Sequence, residues 1–390
     1  MTSTADQLRT EDLAVDRALA DLAGSFRFLL DVTPVDLVAA RAQFDRDGAT
    51  PRFTYRPLED DPVLTAERLS DVPVEKVEDP TLASLLMAKA RELRLQLEML
   101  CCRETPEFRA LSIELYGTVS PALLAEAETI LSDVPPPAPD EGPWLDADQI
   151  ASTAQTELDR YRAHAPDLEA HVEVREGSTG LMVSNGDVLI APTSRVSVQR
   201  IEALLHHEIG VHVLTHVNGA HQPLHVLATG LADHEETQEG LAVLAEHLVG
   251  GLTAARLRQL AARVVAVHQM VEGAELPDVH RTLVDNGVPK PQAFTITTRV
   301  FRSGGLTKDA VYLRGLRELV DHLAAGHDLD VLWLGKMPIT AAPLVGELHR
   351  RGVLVDPLLR PRFLQETAAR DRLAAIHEVT SLTSLIGDPA

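Results

Sequence analysis

Histidine is concentrated in one stretch of the chain, between residues 206 and 247. Eight of the 16 histidines lie there, whereas an even distribution would place roughly two in that interval. Neutral imidazole is the commonest protein ligand for zinc, and its charge changes near neutral pH. A cluster of this density therefore predicts metal chemistry in this part of the chain.

Residues 207–212 read HEIGVH, one residue longer than the zinc-binding helix motif H-E-x-x-H. On a regular helix, side chains four residues apart differ by ~40° in direction, and those five apart by ~140°. A π-helical turn accommodates one extra residue and returns both histidines to one face, and Gly210 would ease it. The spacing predicts a widened turn around Gly210, with His207 and His212 as metal ligands and Glu208 as the general base.

A catalytic zinc site generally has three protein ligands and one water molecule, so one more ligand must come from outside this segment. Glu239 is the best candidate, because it lies near the start of the next predicted helix, as the third ligand does in many helix-based zinc proteases. A second set remains open. Glu208, His212 and His216 stand at i, i+4 and i+8, so they share one face of an unbroken helix.

The elements that must position these residues are mainly helical. Apolar residues recur at helical spacing in six segments, at 13–30, 81–100, 121–131, 146–163, 197–216 and 235–248. Alternation at 171–175 predicts a strand, and Asn185-Gly186 between two apolar runs predicts a β-hairpin with a type I′ turn. Short strands are also predicted at 293–301 and 329–334. The pattern as a whole predicts an α+β fold that is mostly helical.

The clearest linker signal is the sequence VPPPAPD at residues 134–140. Proline cannot continue a helix, and consecutive prolines favour the extended polyproline II conformation. The run predicts a helical N-terminal region at 1–140 and a catalytic domain at 141–390. A long loop within one domain is the alternative.

Composition restricts the partners and the compartment. The chain has 58 acidic and 36 basic residues and a net charge of −22, which repels phosphate backbones and anionic membrane surfaces. Neither nucleic acid nor a membrane is therefore expected as a partner. The chain has no secretory signal pattern and no apolar run of ~18 residues, and its two cysteines, Cys101 and Cys102, are adjacent. We expect a cytoplasmic protein.

Several motifs together resemble one known family. They are HEIGVHVL at 207–214, Asn218-Gly219, QPL at 222–224, QEGLA at 238–242, TRVFR at 298–302, GLTKDAVYL at 305–313 and Gly335-Lys336. The set is similar to the family of microtubule-associated tyrosine carboxypeptidases, above all to its bacterial branch, labelled flavohemoglobin expression-modulating proteins with a QEGLA motif. The resemblance covers about residues 145–365.

The resemblance implies a zinc metallopeptidase that acts on a peptide or protein substrate. It implies a zincin-like core, in which a small sheet accompanies two helices that carry the zinc ligands. By matching positions, His207, His212 and Glu239 would bind zinc and Glu208 would be the catalytic base. One position departs from the family, because Ser303 stands where glycine often follows the arginine.

A carboxypeptidase mechanism assigns further roles. Tyr312 is the predicted donor to the tetrahedral oxyanion. Arg299 and Arg302 are the predicted partners of a C-terminal carboxylate, which a guanidinium binds in bidentate fashion, although surface ion pairing explains them equally well. The predicted strand at 188–190 offers an edge to which an extended substrate could add.

Two further alternatives remain open at this point. The acids Asp233, Glu235 and Glu236 either support the histidines or form a solvated helix start, where acids complement the helix dipole. The chain as a whole is a zinc peptidase, a non-catalytic zinc-binding regulatory protein, or a metal-dependent amidohydrolase with the same ligands. Glu208 favours catalysis, because a structural zinc site needs no base beside a ligand.

Overall fold

The computed structural model of the chain describes residues 8–136, 142–176 and 180–386. Over those residues the fold is α+β and mostly helical, as the sequence predicted. No helix among them is long and apolar enough to cross a membrane. The centre of the predicted linker, residues 137–140, lies outside the described residues, so the domain boundary stays a prediction.

Side-chain caps start several helices of the N-terminal region. Asp79 caps one of them by accepting a hydrogen bond from the backbone N–H of Leu82 at 2.9 Å, and Ser120 caps another in the same way. Each cap is followed by proline, whose fixed φ suits the first helical position. The helices are α1 Thr10–Ser25, α2 Phe28–Asp31, α3 Leu37–Asp47, α4 Pro62–Ser70, α5 Pro80–Cys101, α6 Glu107–Tyr116 and α7 Pro121–Asp133.

The remainder of the chain adds eleven described helices and five short strands. The helices are α8 Ala147–Arg162, α9 Ile201–His207, α10 Leu214–Ala220, α11 Val226–Thr229, α12 His234–Leu248, α13 Ala254–Val271, α14 Leu276–Asp285, α15 Lys290–Phe301, α16 Val311–Ala324, α17 Ala342–Arg350 and α18 Thr367–Ala375. The strands are β1 Trp144–Leu145, β2 Val172–Val174, β3 Leu181–Ser184, β4 Asp187–Ile190 and β5 Val196–Ser197.

The larger sheet has three strands in the order β2-β4-β3. The predicted hairpin is present, because β3 and β4 pair antiparallel and Asn185 and Gly186 at the turn have φ of 50° and 86°. β2 pairs with the other side of β4 in parallel. The predicted addition of a substrate strand at residues 188–190 is therefore wrong, since β4 has a partner on each side.

Two predicted strands are also wrong. Residues 293–301 belong to helix α15, and residues 330–333 form a 3₁₀ turn. The β-branched residues of 293–301 favour a strand locally. The buried positions Ala293, Ile296, Thr297 and Val300 are instead three or four residues apart, so helix packing overrides the local preference.

The hydrophobic core extends across the predicted domain boundary. One cluster of buried apolar residues runs from Val15 in α1 to Leu385 near the C-terminus. Helix α13 packs against α7, and buried Arg258 of α13 donates to the carbonyl oxygen of Leu131 at 2.7 Å. The N-terminal helices therefore share their apolar packing with the part of the chain that carries the metal-binding motifs.

A close crossing of α12 and α16 sets the position of the residues on both helices. A Cβ atom added to Gly240 would lie 2.4 Å from the carbonyl carbon of Gly315, and one added to Gly315 would lie 2.0 Å from the carbonyl oxygen of Glu236. Only glycine permits such an approach of two backbones. The crossing fixes Glu239 relative to Tyr312, one turn before Gly315.

Candidate metal centre

The predicted widened turn is present. Residues Glu208–Val213 form a π-helical turn between α9 and α10. A Cβ atom on Gly210 would lie 3.3 Å from the Phe363 ring and 3.4 Å from His206 Nδ1. Glycine therefore fits at this position because a side chain would crowd its neighbours. A left-handed backbone conformation is not the reason.

The turn brings the predicted ligands together with Glu239 of α12. Glu239 Oε2 lies 3.8 Å from His207 Nε2 and 3.7 Å from His212 Nε2. Glu208 Oε1 lies 3.9 Å from His207 Nε2. The four side chains are only 6% to 16% exposed, so the group is nearly closed to solvent.

The donor set fits a zinc ion. Ligand atoms ~2.0–2.1 Å from a tetrahedral zinc ion lie roughly 3.4 Å from each other. The distances from Glu239 Oε2 to the two histidines, 3.8 and 3.7 Å, are close to this value. Glu208 is a competitor for the third position, because ligand atoms of His207, Glu208 and His212 lie within 4.8 Å of one another. Glu239 is near both histidines, which suits a ligand, and Glu208 then remains free to act as a base.

His216, the alternative ligand, is not brought into this group. Its Nδ1 lies 3.2 Å from the carbonyl oxygen of Ala228, and its ring contacts the hairpin turn at Gly186. Burial, together with the charge of Lys336, lowers the pKa of His216 to about 4. The π-helical turn rotates His212 toward His207, so Glu208, His212 and His216 no longer share a face.

Glu246 is a residue that the sequence argument missed. Its Oε1 lies 2.9 Å from His207 Nδ1, which directs Nε2 toward Glu239, and its side chain is fully buried. Arg200 and Arg256 donate to the same carboxylate at 2.7 and 3.2 Å, and with His207 they hold its pKa well below the usual range against the effect of burial. Glu246 follows Glu239 by seven residues, two helical turns, and this spacing was the available signal.

The two carboxylates beside the histidines have opposite electrostatics. Burial raises the pKa of Glu208, although His207 and His212 partly oppose this. For Glu239, burial acts in the same direction but is outweighed by the interaction with His212, 3.7 Å away, and by the charge of Lys308, so its pKa lies well below the usual range. Lys308 Nζ is 3.7 Å from the second oxygen of Glu239 and 3.4 Å from Glu235.

Beyond Lys308 lies a cluster of arginines around one carboxylate. Arg299 donates twice to Asp309, through Nε and Nη2, each at 2.7 Å, and Arg263 Nε is 3.8 Å from the same carboxylate. The Arg263 guanidinium also lies over the Tyr312 ring at 4.7 Å. Arg302 donates to Thr33 Oγ1 at 2.9 Å. We call Arg263, Arg299, Arg302 and Asp309 the arginine cluster.

The predicted surface role of Arg299 and Arg302 does not describe them well. Arg302 is 5% exposed, and burial together with the charge of Arg299 lowers its pKa to about 10. Nε of Arg302 and Nε and Nη1 of Arg263 have no hydrogen-bond partner within the described ranges. The cluster thus contains three guanidinium groups and a single carboxylate, with N–H donors left over.

Comparison with known sequences agrees with these motifs. The sequence model of the family described as microtubule-associated tyrosine carboxypeptidase matches residues 42–381, most of the chain. The chain belongs to this family.

One curated relative supports the assignment. Mouse microtubule-associated tyrosine carboxypeptidase 1 is 30% identical over 176 residues, which are 43% of this chain and 36% of the mouse protein. This chain therefore matches about a third of that relative's length. A crystal structure of a protein described as a lipoprotein from Colwellia psychrerythraea has a TM-score of 0.45 and 14% identity, over 74% of this chain and 66% of that chain. A likeness at that level gives no indication of function.

Other residues of the carboxypeptidase-family motifs stabilise the packing of the surrounding helices. Asn218 donates to the carbonyl oxygens of Trp333 and Leu359 and accepts from the N–H of Leu359, each at 2.8 Å. Thr215 donates to Gln238 at 2.6 Å, which ties α10 to α12. These contacts attach the metal-site helices to the C-terminal segments and to each other.

The departure at Ser303 has a structural explanation. Ser303 has φ of 56°, in the left-handed region that favours glycine. Its N–H donates to the Tyr55 hydroxyl at 2.6 Å, its hydroxyl donates to the carbonyl oxygen of Val32 at 3.1 Å, and its carbonyl accepts from Glu104 at 2.9 Å. Glycine is the easier residue in this conformation, and serine is held there by three hydrogen bonds.

The acidic run before Glu239 does not support the histidines directly. Glu236 accepts from Arg314 Nε at 2.6 Å, and the N–H of Asp233 donates to Glu92 at 3.2 Å. Only Glu235 approaches the centre, through Lys308. Over the described part of the chain, none of these acids hydrogen-bonds His207 or His212, and Glu246 has that position.

Proposed function

We propose that the chain is a zinc-dependent carboxypeptidase that acts on the C-termini of peptides or proteins. The observation that carries this proposal is the convergence of His207 Nε2, His212 Nε2 and Glu239 Oε2, with Glu208 beside them. Membership of a family described as a tyrosine carboxypeptidase agrees with it.

In this proposal His207, His212 and Glu239 hold the metal. Zinc, when bound, would act as a Lewis acid on the scissile carbonyl group and would lower the pKa of water at the site. Glu246 keeps the His207 ring in the orientation that presents Nε2, because it accepts a hydrogen bond from Nδ1. Glu239 is held in turn by Lys308, which contacts its other oxygen.

Glu208 is the proposed general base. Glu208 is buried and lies next to His207. No arginine or lysine among the described residues donates a hydrogen bond to it. It would take a proton from the attacking water and deliver it to the nitrogen of the leaving amino acid. Tyr312, which faces the same region between Arg263 and Lys308, is the proposed donor to the carbonyl oxygen as it gains charge.

Arg299 and Arg302 are the proposed partners of the substrate carboxylate. One edge of Arg299 is filled by Asp309, which holds the guanidinium in place and leaves Nη1 for another acceptor. Arg302 uses Nη1 for Thr33 and has further N–H groups. Binding of a terminal carboxylate by these groups would distinguish a carboxypeptidase from an endopeptidase.

The first test measures metal content and hydrolysis together. We expect about one zinc per chain by elemental analysis of the wild type, and loss of zinc in His212→Ala and in Glu239→Ala. Glu208→Gln should keep the zinc and lower hydrolysis of a peptide library by ~10²–10⁴-fold, because it removes the base and not a ligand. Zinc retained in Glu239→Ala but lost in Glu208→Gln would exchange the two roles.

Other results would favour the alternatives. A wild-type protein that binds zinc but cleaves no peptide would indicate a regulatory zinc protein. Cleavage of small amides alone would indicate an amidohydrolase. A wild type that takes up no zinc on reconstitution would contradict the whole proposal.

A further inference from the structure

A cavity of about 440 Å³ opens between helix α3 of the N-terminal region and helix α15. Its volume is in the range of small-molecule sites. The lining residues that matter are Leu37, Val38, Ala42, Phe294, Thr298, Arg299 and Arg302. His207, His212, Glu208 and Glu239 do not line it.

The walls of the cavity are apolar, and they reach the surface. Leu37, Val38 and Ala42 of α3 face Phe294 of α15. Val38 is 88% exposed, although it is a large aliphatic residue. Leaving such a surface in water is unfavourable, so an apolar ligand would be stabilised here.

The inner end of the cavity is polar and positively charged. Thr298 and Arg302 are four residues apart at the end of α15, and both are at least nine-tenths buried. Thr298 Oγ1 and Arg302 Nε have no hydrogen-bond partner in the described structure. Arg299 lies between them, with its side chain 31% exposed. Thr298 Oγ1 and Arg302 Nε are both closed to solvent, so an anion in the cavity would be bound through the Nη groups of Arg299 and Arg302. Arg299 uses Nε and Nη2 for Asp309, and its Nη1 has no acceptor among the described residues. A guanidinium group with free N–H groups suits a carboxylate.

Arg299 and Arg302 line this end, and Arg299 occupies both oxygens of Asp309, the carboxylate of the arginine cluster. Arg302 donates to Thr33, and no carboxylate among the described residues pairs with it. At the mouth, Arg41 pairs with Asp45 at 3.3 Å, so the rim adds no net charge. The uncompensated positive charge is therefore at the inner end, behind the apolar walls.

We propose that this cavity binds a carboxylate attached to an apolar group, with the carboxylate at Arg299 and Arg302 and the apolar group between α3 and α15. The ligand is either a free aliphatic acid or the C-terminal residue of a peptide.

Binding of decanoate to the full-length protein tests the proposal directly. By isothermal titration calorimetry, we expect one decanoate per chain and at least tenfold weaker binding of decan-1-ol and of decyltrimethylammonium. Those two ligands carry the same chain without the negative charge. Absence of decanoate binding, or equal binding of all three ligands, would overturn the proposal.

A matched pair of variants on α3 locates the site. Ala42→Trp fills the cavity from an exposed position and should weaken decanoate binding at least tenfold. Ala39→Trp makes the same substitution at an exposed position of α3 that does not line the cavity, and should change binding less than twofold. Thermal unfolding checks that both variants are folded. Equal effects of the two substitutions would place the ligand elsewhere.

A second arm distinguishes the two sources of the carboxylate. A peptide ending in leucine is titrated into Glu208→Gln saturated with decanoate, with its C-terminal amide as control. Displacement by the acid and not by the amide assigns the cavity to the substrate's end. Lack of displacement assigns it to a free acid. Because decanoate binding requires no turnover, its failure would leave the proposed peptidase activity intact, and failure of hydrolysis would leave the cavity assignment intact.

Discussion

The candidate metal centre and the arginine cluster are neighbouring buried groups that offer opposite kinds of polar atoms. At the metal centre, His207 Nε2, His212 Nε2 and Glu239 Oε2 offer lone pairs to a common point. In the arginine cluster, N–H donors of Arg263 and Arg302 have no acceptor among the described residues. Acceptors without donors suit a cation, and donors without acceptors suit an anion. The candidate metal centre therefore suits a cation and the arginine cluster an anion.

The two groups also differ in the backbone that presents them. The proposed metal ligands lie on helices, and the irregularity among them, at residues 208–213, is a widened helical turn. In the arginine cluster, Arg263 and Arg299 also lie on helices, α13 and α15. Arg302 and Asp309 instead follow the end of α15, where the φ angles of Ser303, Gly304 and Gly305 are 56°, 110° and 125°. In a helix, the helical period sets the direction of each side chain. In a left-handed turn, the backbone conformation sets it, and the surrounding hydrogen bonds must offset the strain of that conformation.

Tyr312 and Lys308 lie between the two groups. Arg263 and Lys308 approach the Tyr312 ring at 4.7 and 5.7 Å, and Lys308 contacts Glu239. The close crossing at Gly240 and Gly315 holds these residues at a fixed separation. A substrate that places its carboxylate at one group and its scissile bond at the other would use both at once.

The largest effect should follow from removing the carboxylate of the arginine cluster. Asp309→Asn takes away the only carboxylate among three guanidinium groups, at a position 1% exposed. Breaking a buried pair leaves charges uncompensated, and we expect unfolding free energy to fall by ~3–5 kcal/mol. Urea denaturation measures it.

The matched control for this variant is Asp321→Asn. Asp321 also pairs with an arginine, Arg317, at 2.7 Å, but is 66% exposed. Exposed pairs contribute little, so the change should stay under ~1 kcal/mol. If the two substitutions cost the same, the arginine cluster is well solvated and its surplus of donors has no energetic meaning.

A smaller effect should follow at the metal centre from Glu246→Gln. The substitution keeps an oxygen near His207 Nδ1 but removes the negative charge, so the imidazole becomes a weaker ligand and is less firmly oriented. Loss of such a supporting carboxylate lowers metal affinity by ~10–100-fold. Competition with a chromophoric chelator measures the zinc affinity.

Glu272→Gln is the control, since Glu272 is exposed at the end of α13. It should leave zinc affinity unchanged within about twofold. If Glu246→Gln also leaves zinc affinity unchanged, His207 is oriented by its packing alone. The metal centre and the arginine cluster would then differ in their backbone and not in the charges that orient their side chains.

Local patterns predicted the parts of the site that local geometry determines. The five-residue spacing of His207 and His212 led to the π-helical turn around Gly210, and Asn185-Gly186 led to the hairpin. In both cases the angular period or the required φ is a property of a few consecutive residues, so the sequence contains the necessary information.

Contacts between distant segments were not predictable in this way. The partner of His207 is Glu246, 39 residues along the chain, and the arginine cluster joins α13, α15 and the segment that follows. At residues 293–301 the local pattern gave a wrong prediction. Their β-branched composition favours a strand, but tertiary packing of one face makes the segment a helix. Pairwise tertiary contacts of this kind leave no fixed spacing in a single sequence.

The smallest effect is expected at the turn that follows Arg302. In Ser303→Gly, relief of the left-handed backbone gains ~1 kcal/mol, while loss of the hydroxyl bond to Val32 and the greater freedom of glycine in the unfolded chain cost a similar amount. The unfolding free energy should therefore stay within about 1 kcal/mol of the wild type. Ser303→Val, a β-branched residue at the same φ, should lose ~1–3 kcal/mol, and urea denaturation compares the two. A Ser303→Gly loss as large as that of valine would show that the side-chain hydrogen bond, and not backbone strain, holds the turn.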